Sequence, residues 1–144
     1  MRSLPVLSFG FLLAVFGWAG SVEAQTEPKG FVCSFSAGTS SIYENGAFKV
    51  RPPALLNFEI ADIDLEKQTA HLVTDGHEKA GALKIVRAIN ANHFLEVVNE
   101  GFLNLTTIYD TEAATGPHPA VHSRHLGVLG QPVFAQYSGF CTEK

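Results

Sequence analysis

Charge is scarce in this chain of 144 residues: acidic and basic side chains make up 17%, the formal net charge is −4, and the ten bases form no cluster. A mildly acidic chain with no basic stripe has no electrostatic footprint for nucleic acid, which sets that class of partner aside. Cysteine is nearly absent, Cys33 and Cys141 being the only two. Neither follows the N-terminal apolar stretch closely, so the residue a lipoprotein anchor would use is missing. No second apolar run follows that stretch, whereas a helical membrane span needs about 17–25 such residues. Internal repeats, low-complexity tracts and runs of like charge are missing too, and beyond its leader the chain reads as one folded unit.

What is present begins with Arg2, an apolar stretch from Leu4 through Trp18, and the small residues Gly20, Ser21, Val22 and Ala24 around Glu23. This is the anatomy of a secretory signal peptide. The competing reading, an uncleaved anchor, would have to use a stretch near the lower limit for a span. Residues 1–24 are therefore expected to be a signal peptide and residues 25–144 a single β domain, periplasmic or secreted. In an oxidising compartment Cys33 and Cys141 are most simply one disulfide, two free thiols or an intermolecular bridge being the alternatives. Cross-linking residues so far apart is worth about 4–5 kcal/mol in the chain-entropy model.

The mature segment has a period of two. Leu56, Phe58 and Ile60 share one face and Asn57 and Glu59 the other, the pattern of a half-buried strand. Further strands are expected over 31–36, 69–74, 83–89, 93–98, 102–109, 120–129 and 133–141. A polar turn at 62–68 and short connections rich in Gly, Asn, Asp and Pro separate them. Such short links favour antiparallel hairpins. The stretch 43–53 is less regular: it holds the turn dipeptide Asn45-Gly46 and the pair Pro52-Pro53, which cannot lie in a central strand. Residues 111–119 have the composition of an exposed loop. About eight strands in meander order suit an all-β fold, a small antiparallel up-and-down barrel, with a β-sandwich as the alternative. A Cys33–Cys141 bond joining the first and last strands on their apolar faces favours the barrel, because it removes both sheet edges. Phe31, Phe35, Phe58, Phe94, Phe102, Phe134 and Tyr137 are expected to be core.

The C-terminal third contains the segments Phe94-Leu95-Glu96-Val97, Asn104-Leu105-Thr106-Thr107-Ile108-Tyr109, Ala120-Val121-His122-Ser123-Arg124-His125 and Gln136-Tyr137-Ser138-Gly139-Phe140-Cys141. In their order and in the closing Gln-Tyr-Ser-Gly-Phe-Cys stretch they resemble a family of small exported proteins of alphaproteobacteria. The resemblance covers about half of the mature chain. It implies export and a shared β fold, and supplies no activity, cofactor or site. Similarity to lipocalin-type barrels is one of architecture only, which does not fix function.

The cluster richest in chemistry is His118, His122, Ser123, Arg124 and His125. Alternation on a strand sends His122 and Arg124 one way and Ser123 and His125 the other. That divergence, with no Cys or carboxylate at a supporting spacing, argues against a metal site, and no metal or other cofactor is expected. Ser123 has no Gly-x-Ser-x-Gly elbow around it, which weakens nucleophilic catalysis. Asp62, Asp64 and Glu66 sit in a polar turn and read as solvated. Arg87 interrupts the face of Leu83, Ile85 and Ile89, and an inward charge there would need a partner or a ligand; the face of Lys84, Val86 and Ala88 could equally be the buried one. Asn104-Leu105-Thr106 matches a glycosylation sequon and is read as strand only.

These residues lead to a noncatalytic binding or interaction module as the expectation, taking a small ligand or an envelope protein through Arg124, His125, His122 and Arg87. Arg offers a rigid fork of donors suited to a carboxylate. A small hydrolase-like enzyme using the residues His122 to His125, and an envelope inhibitor acting through the loop 111–119, are the alternatives. One structural feature separates them: which of these side chains face inward together.

Overall fold

A computed structural model describes residues 27–74, 77–98, 101–111, 116–128 and 130–144; the leader expected over residues 1–24 lies outside them. Nine antiparallel strands and no helix occur among the described residues: β1 (Phe31–Glu44), β2 (Ala47–Arg51), β3 (Leu56–Asp64), β4 (Thr69–Thr74), β5 (His77–Ala88), β6 (Ala91–Val98), β7 (Phe102–Tyr109), β8 (His118–Val128) and β9 (Gln131–Glu143). Each of β3 to β8 pairs with the next in sequence, β3 also pairs with β1, and β1 pairs with β9. Eight strands thus close a ring, the barrel expected from the cysteine positions. Closure leaves no edge on these eight strands, so their backbone donors and acceptors are met within the wall.

The first strand departs from expectation. It runs 14 residues instead of ending near Ser36, because a register shift between Phe35 and Ala37 bends it and lets it continue along β9. Its N-terminal part, Phe31 to Phe35, pairs with β3, and its C-terminal part, Ser40 to Glu44, pairs with β2 on the same edge. The stretch 43–53, read as irregular, is therefore a hairpin that extends one end of the barrel. Its two-residue turn is Asn45-Gly46 with φ of 52° and 82°, the positive values that a twisted hairpin requires. At the β1–β9 seam the backbones lie so close that a Cβ on Gly139 would overlap the Ser34 carbonyl oxygen and stand 2.7 Å from Phe35 Cα.

Alternation decides what faces inward. Phe31, Cys33 and Phe35 of β1 are buried, as are Phe58 and Ile60 of β3, Leu83 and Ile85 of β5, and Phe94 of β6. Phe35 stacks on Phe58 with ring centroids 5.4 Å apart, and Phe31 meets Phe94 edge-on at 6.4 Å. Cys33 and Cys141 lie directly opposite each other across the seam, are disulfide-bonded, and have Cα atoms 4.0 Å apart, slightly closer than the common range. Two aromatic residues expected in the core are elsewhere. Phe134 faces outward against Phe48, and Phe102 stands at the barrel mouth, each more than a third exposed. Strand position alone does not make a residue core; depth along the barrel and the face matter too.

The connection between β3 and β4 explains the carboxylates of the polar turn. Asp64 Oδ1 accepts the Lys67 backbone N–H at 2.8 Å, and Lys67 Nζ donates to Asp64 Oδ2 at 2.7 Å. The hydrogen bond from the Lys67 side chain, and then that from its backbone, hold the Asp64 carboxyl below its ordinary range. These groups are exposed and shape a turn, as the sequence suggested.

Candidate functional site

One end of the barrel is filled by rings and aliphatic side chains, while the interior toward the other end becomes polar. The change is visible in paired rows. Thr106 on β7, His122 on β8 and Tyr137 on β9 form one inward row beside Phe94, and the next row toward the mouth is Glu96, Asn104, Arg124 and Ala135. His122 is 4% exposed and Glu96 is 8% exposed, whereas Asn104 and Arg124 are half-buried. At the mouth itself Phe102 pairs with Leu126, and both are partly exposed.

His122 sits among aromatic rings, with centroids 5.2 Å from Phe58, 5.7 Å from Phe35 and 5.8 Å from Tyr137. Its Nδ1 shares a hydrogen bond of 2.8 Å with Thr106 Oγ1, and in either tautomer its enclosed Nε2 is left without a partner. Burial, and secondarily the positive charge of Arg124, lower its pKa from 6.5 to about 4. The imidazole is therefore neutral at pH 7, since the low-dielectric interior disfavours the charged form.

Arg124 is one of four side chains with an enclosed, unpartnered polar atom among the described residues. Its Nε is enclosed and unpartnered, and among the described residues the guanidinium makes no hydrogen bond and meets no acid within ion-pair distance. Glu96, one strand beyond Asn104, accepts Asn104 Nδ2 on Oε2 at 2.7 Å. Its other oxygen, Oε1, lies over Gly81, where a Cβ would overlap it. Asn104 Oδ1 is enclosed without a partner. Three unmatched polar atoms in adjacent inward positions are unusual, because buried polar groups are nearly always hydrogen-bonded.

The four residues singled out from sequence thus separate. His122 and Arg124 point into the barrel side by side, as alternation required. His125 points outward, paired with Leu103 and Phe134, and is exposed. Ser123 also faces outward, between Leu105 and Gln136, and does not converge with His122. Arg87 belongs to the buried Leu83–Ile85 face, but it lies at the opposite, filled end of the barrel, where it is exposed and 3.6 Å from Glu27 Oε1. His118 is at that end too, between Tyr109 O at 3.1 Å and Glu143 Oε1 at 3.2 Å. No group of three or more His, Cys, Asp or Glu able to hold a metal ion occurs among the described residues.

Glu96 and Asn104 were not among the residues singled out. The signal was nevertheless present: Glu96 shares its strand face with Phe94, and an acid on an apolar face is conspicuous. Asn104 carries no comparable signal in the sequence. A surface depression of about 330 Å³ lies elsewhere, on the outer wall near the β1 bend, lined by Thr39, Ser123, Gln136 and Ser138 among others. Its lining contains hydroxyls and an amide but no acid, Lys, Arg or His.

Comparison with known proteins adds no name to this geometry: no family model, no curated protein and no solved structure matches the chain.

Proposed function

We propose that this protein is an exported, noncatalytic binding module whose barrel interior takes a small polar ligand through Arg124, with His122, Asn104 and Glu96 around it. The observation that carries the reading is the inward, half-buried Arg124, whose enclosed Nε has no partner and which meets no acid among the described residues. An unpaired charge turned into a protein costs several kcal/mol unless a counter-group or water meets it, and a bound carboxylate is the natural counter-group for a guanidinium fork. The disulfide supports an oxidising location such as the periplasm or cell exterior. The described core is largely aromatic and aliphatic, the reverse of the polar lumen of a membrane-spanning barrel, which supports the reading that no span remains after the leader is removed.

Isothermal calorimetry with small carboxylates, with and without an amino group, tests the proposal. Binding to the wild type that disappears in Arg124→Gln, with the melting temperature retained, supports it. Binding that survives in Arg124→Gln, or no binding by any compound of the panel, refutes it. The enzyme alternative has less support, because Ser123 and His122 occupy opposite faces of β8.

A further inference from the structure

The interior site has two ends of opposite charge, and we infer that its ligand does too: a small zwitterion, with its carboxylate on Arg124 and its ammonium between Glu96 and Asn104. This rests on the small-ligand reading above and narrows it to amino acids and their close relatives.

The register places Glu96, Asn104 and Arg124 on three successive strands in one inward row. Two strand spacings separate the Cα atoms of Glu96 and Arg124 by about 10 Å. The two side chains make no ion pair across Asn104, so each charge remains available. The unmet groups also differ in kind from one end to the other. At one end is a guanidinium, which can only donate. At the other, the enclosed and unpartnered atom is Asn104 Oδ1, which can only accept, beside the Glu96 carboxylate, whose Oε2 already takes Asn104 Nδ2. Gly81 contributes by leaving the space that Glu96 Oε1 occupies.

A simple anion would satisfy Arg124 but leave the Asn104 oxygen unmet and lie near the Glu96 carboxylate. A simple cation would satisfy the acceptors and be repelled by Arg124. A molecule carrying an ammonium and a carboxylate a few bonds apart meets both ends, and its charges complement those of Glu96 and Arg124. Neutral His122 adds no second positive charge to the Arg124 end.

Calorimetry with three matched pairs tests this: glycine against acetate, β-alanine against propionate, and γ-aminobutyrate against butyrate, with ethylamine as the amine alone. At the chain length that fits, the zwitterion should bind at least about tenfold more tightly than its carboxylate partner, the value of one charge-assisted hydrogen bond. Glu96→Gln keeps an acceptor for Asn104 and should erase the advantage of the zwitterion over its carboxylate partner without weakening the carboxylate. Equal affinities within every pair on the wild type, a measurement that needs no variant, overturn the zwitterion and leave the anion-binding reading standing. Ethylamine binding as tightly as the best zwitterion also overturns it, since Arg124 would then contribute nothing. No binding by any compound overturns both readings.

Discussion

His122 should make the fold sensitive to mild acid. Its imidazole is enclosed by Phe35, Phe58 and Tyr137, and burial first, Arg124 second, lowers its pKa from 6.5 to about 4. In the unfolded chain the ring takes a proton near 6.5, while in the folded protein it stays neutral until the pH approaches 4. Between those values the unfolded state binds more protons, so stability falls as the pH falls and returns as it rises. At about 1.4 kcal/mol for each pH unit, the full effect is roughly 3 kcal/mol, a large share of the 5–15 kcal/mol typical of a domain. The assay is urea unfolding followed by circular dichroism at intervals from pH 7 to pH 4, on the wild type and on His122→Gln, which retains a partner for Thr106 but cannot titrate. The other histidines and the carboxylates contribute to both proteins, so the difference between the two curves isolates His122. Its wild-type arm should drop through the window and the variant should lack that component. Parallel curves, or an NMR titration placing His122 near 6.5, would refute the burial argument.

Three further outcomes follow from the same geometry. Replacing both Cys33 and Cys141 with Ala opens a cross-link spanning 108 residues and should lower stability by about 4–5 kcal/mol, read as a shift of the urea midpoint; an unchanged midpoint would contradict the seam as a stabilising element. Gly139→Ala forces a Cβ into the Ser34 carbonyl and the Phe35 backbone, so it should cost more than about 3 kcal/mol and broaden the amide spectrum of β1 and β9, whereas a wild-type melt would show that the two strands can part without penalty. His125→Ala removes an exposed, outward side chain and should change stability by no more than about 0.5 kcal/mol in the same thermal melts, a larger loss being evidence that this ring is covered.

Much of the fold was legible because its causes are local. Period-two alternation in residues 56–60 marks a strand and its buried face. Short turns such as Asn45-Gly46 force neighbours to pair antiparallel, and cysteines near both chain ends imply that the first strand meets the last. The same alternation was enough to say that His122 and Arg124 share a face and that His125 does not. Other features depend on contacts between distant residues, and these appear only when the ring closes. The bend after Phe35 that carries β1 on to Glu44 arises from its pairing with β9, more than 90 residues away, so the stretch 43–53 looked irregular in isolation. Arg87 could be given a face from its neighbours but not a depth, and depth decided that it lies at the exposed end beside Glu27. The grouping of Glu96, Asn104 and Arg124 depends on the register of three strands, since each strand carries only one of them. Their mutual position exists only in the closed barrel, because convergence toward a common axis is a property of the ring and not of any segment in it.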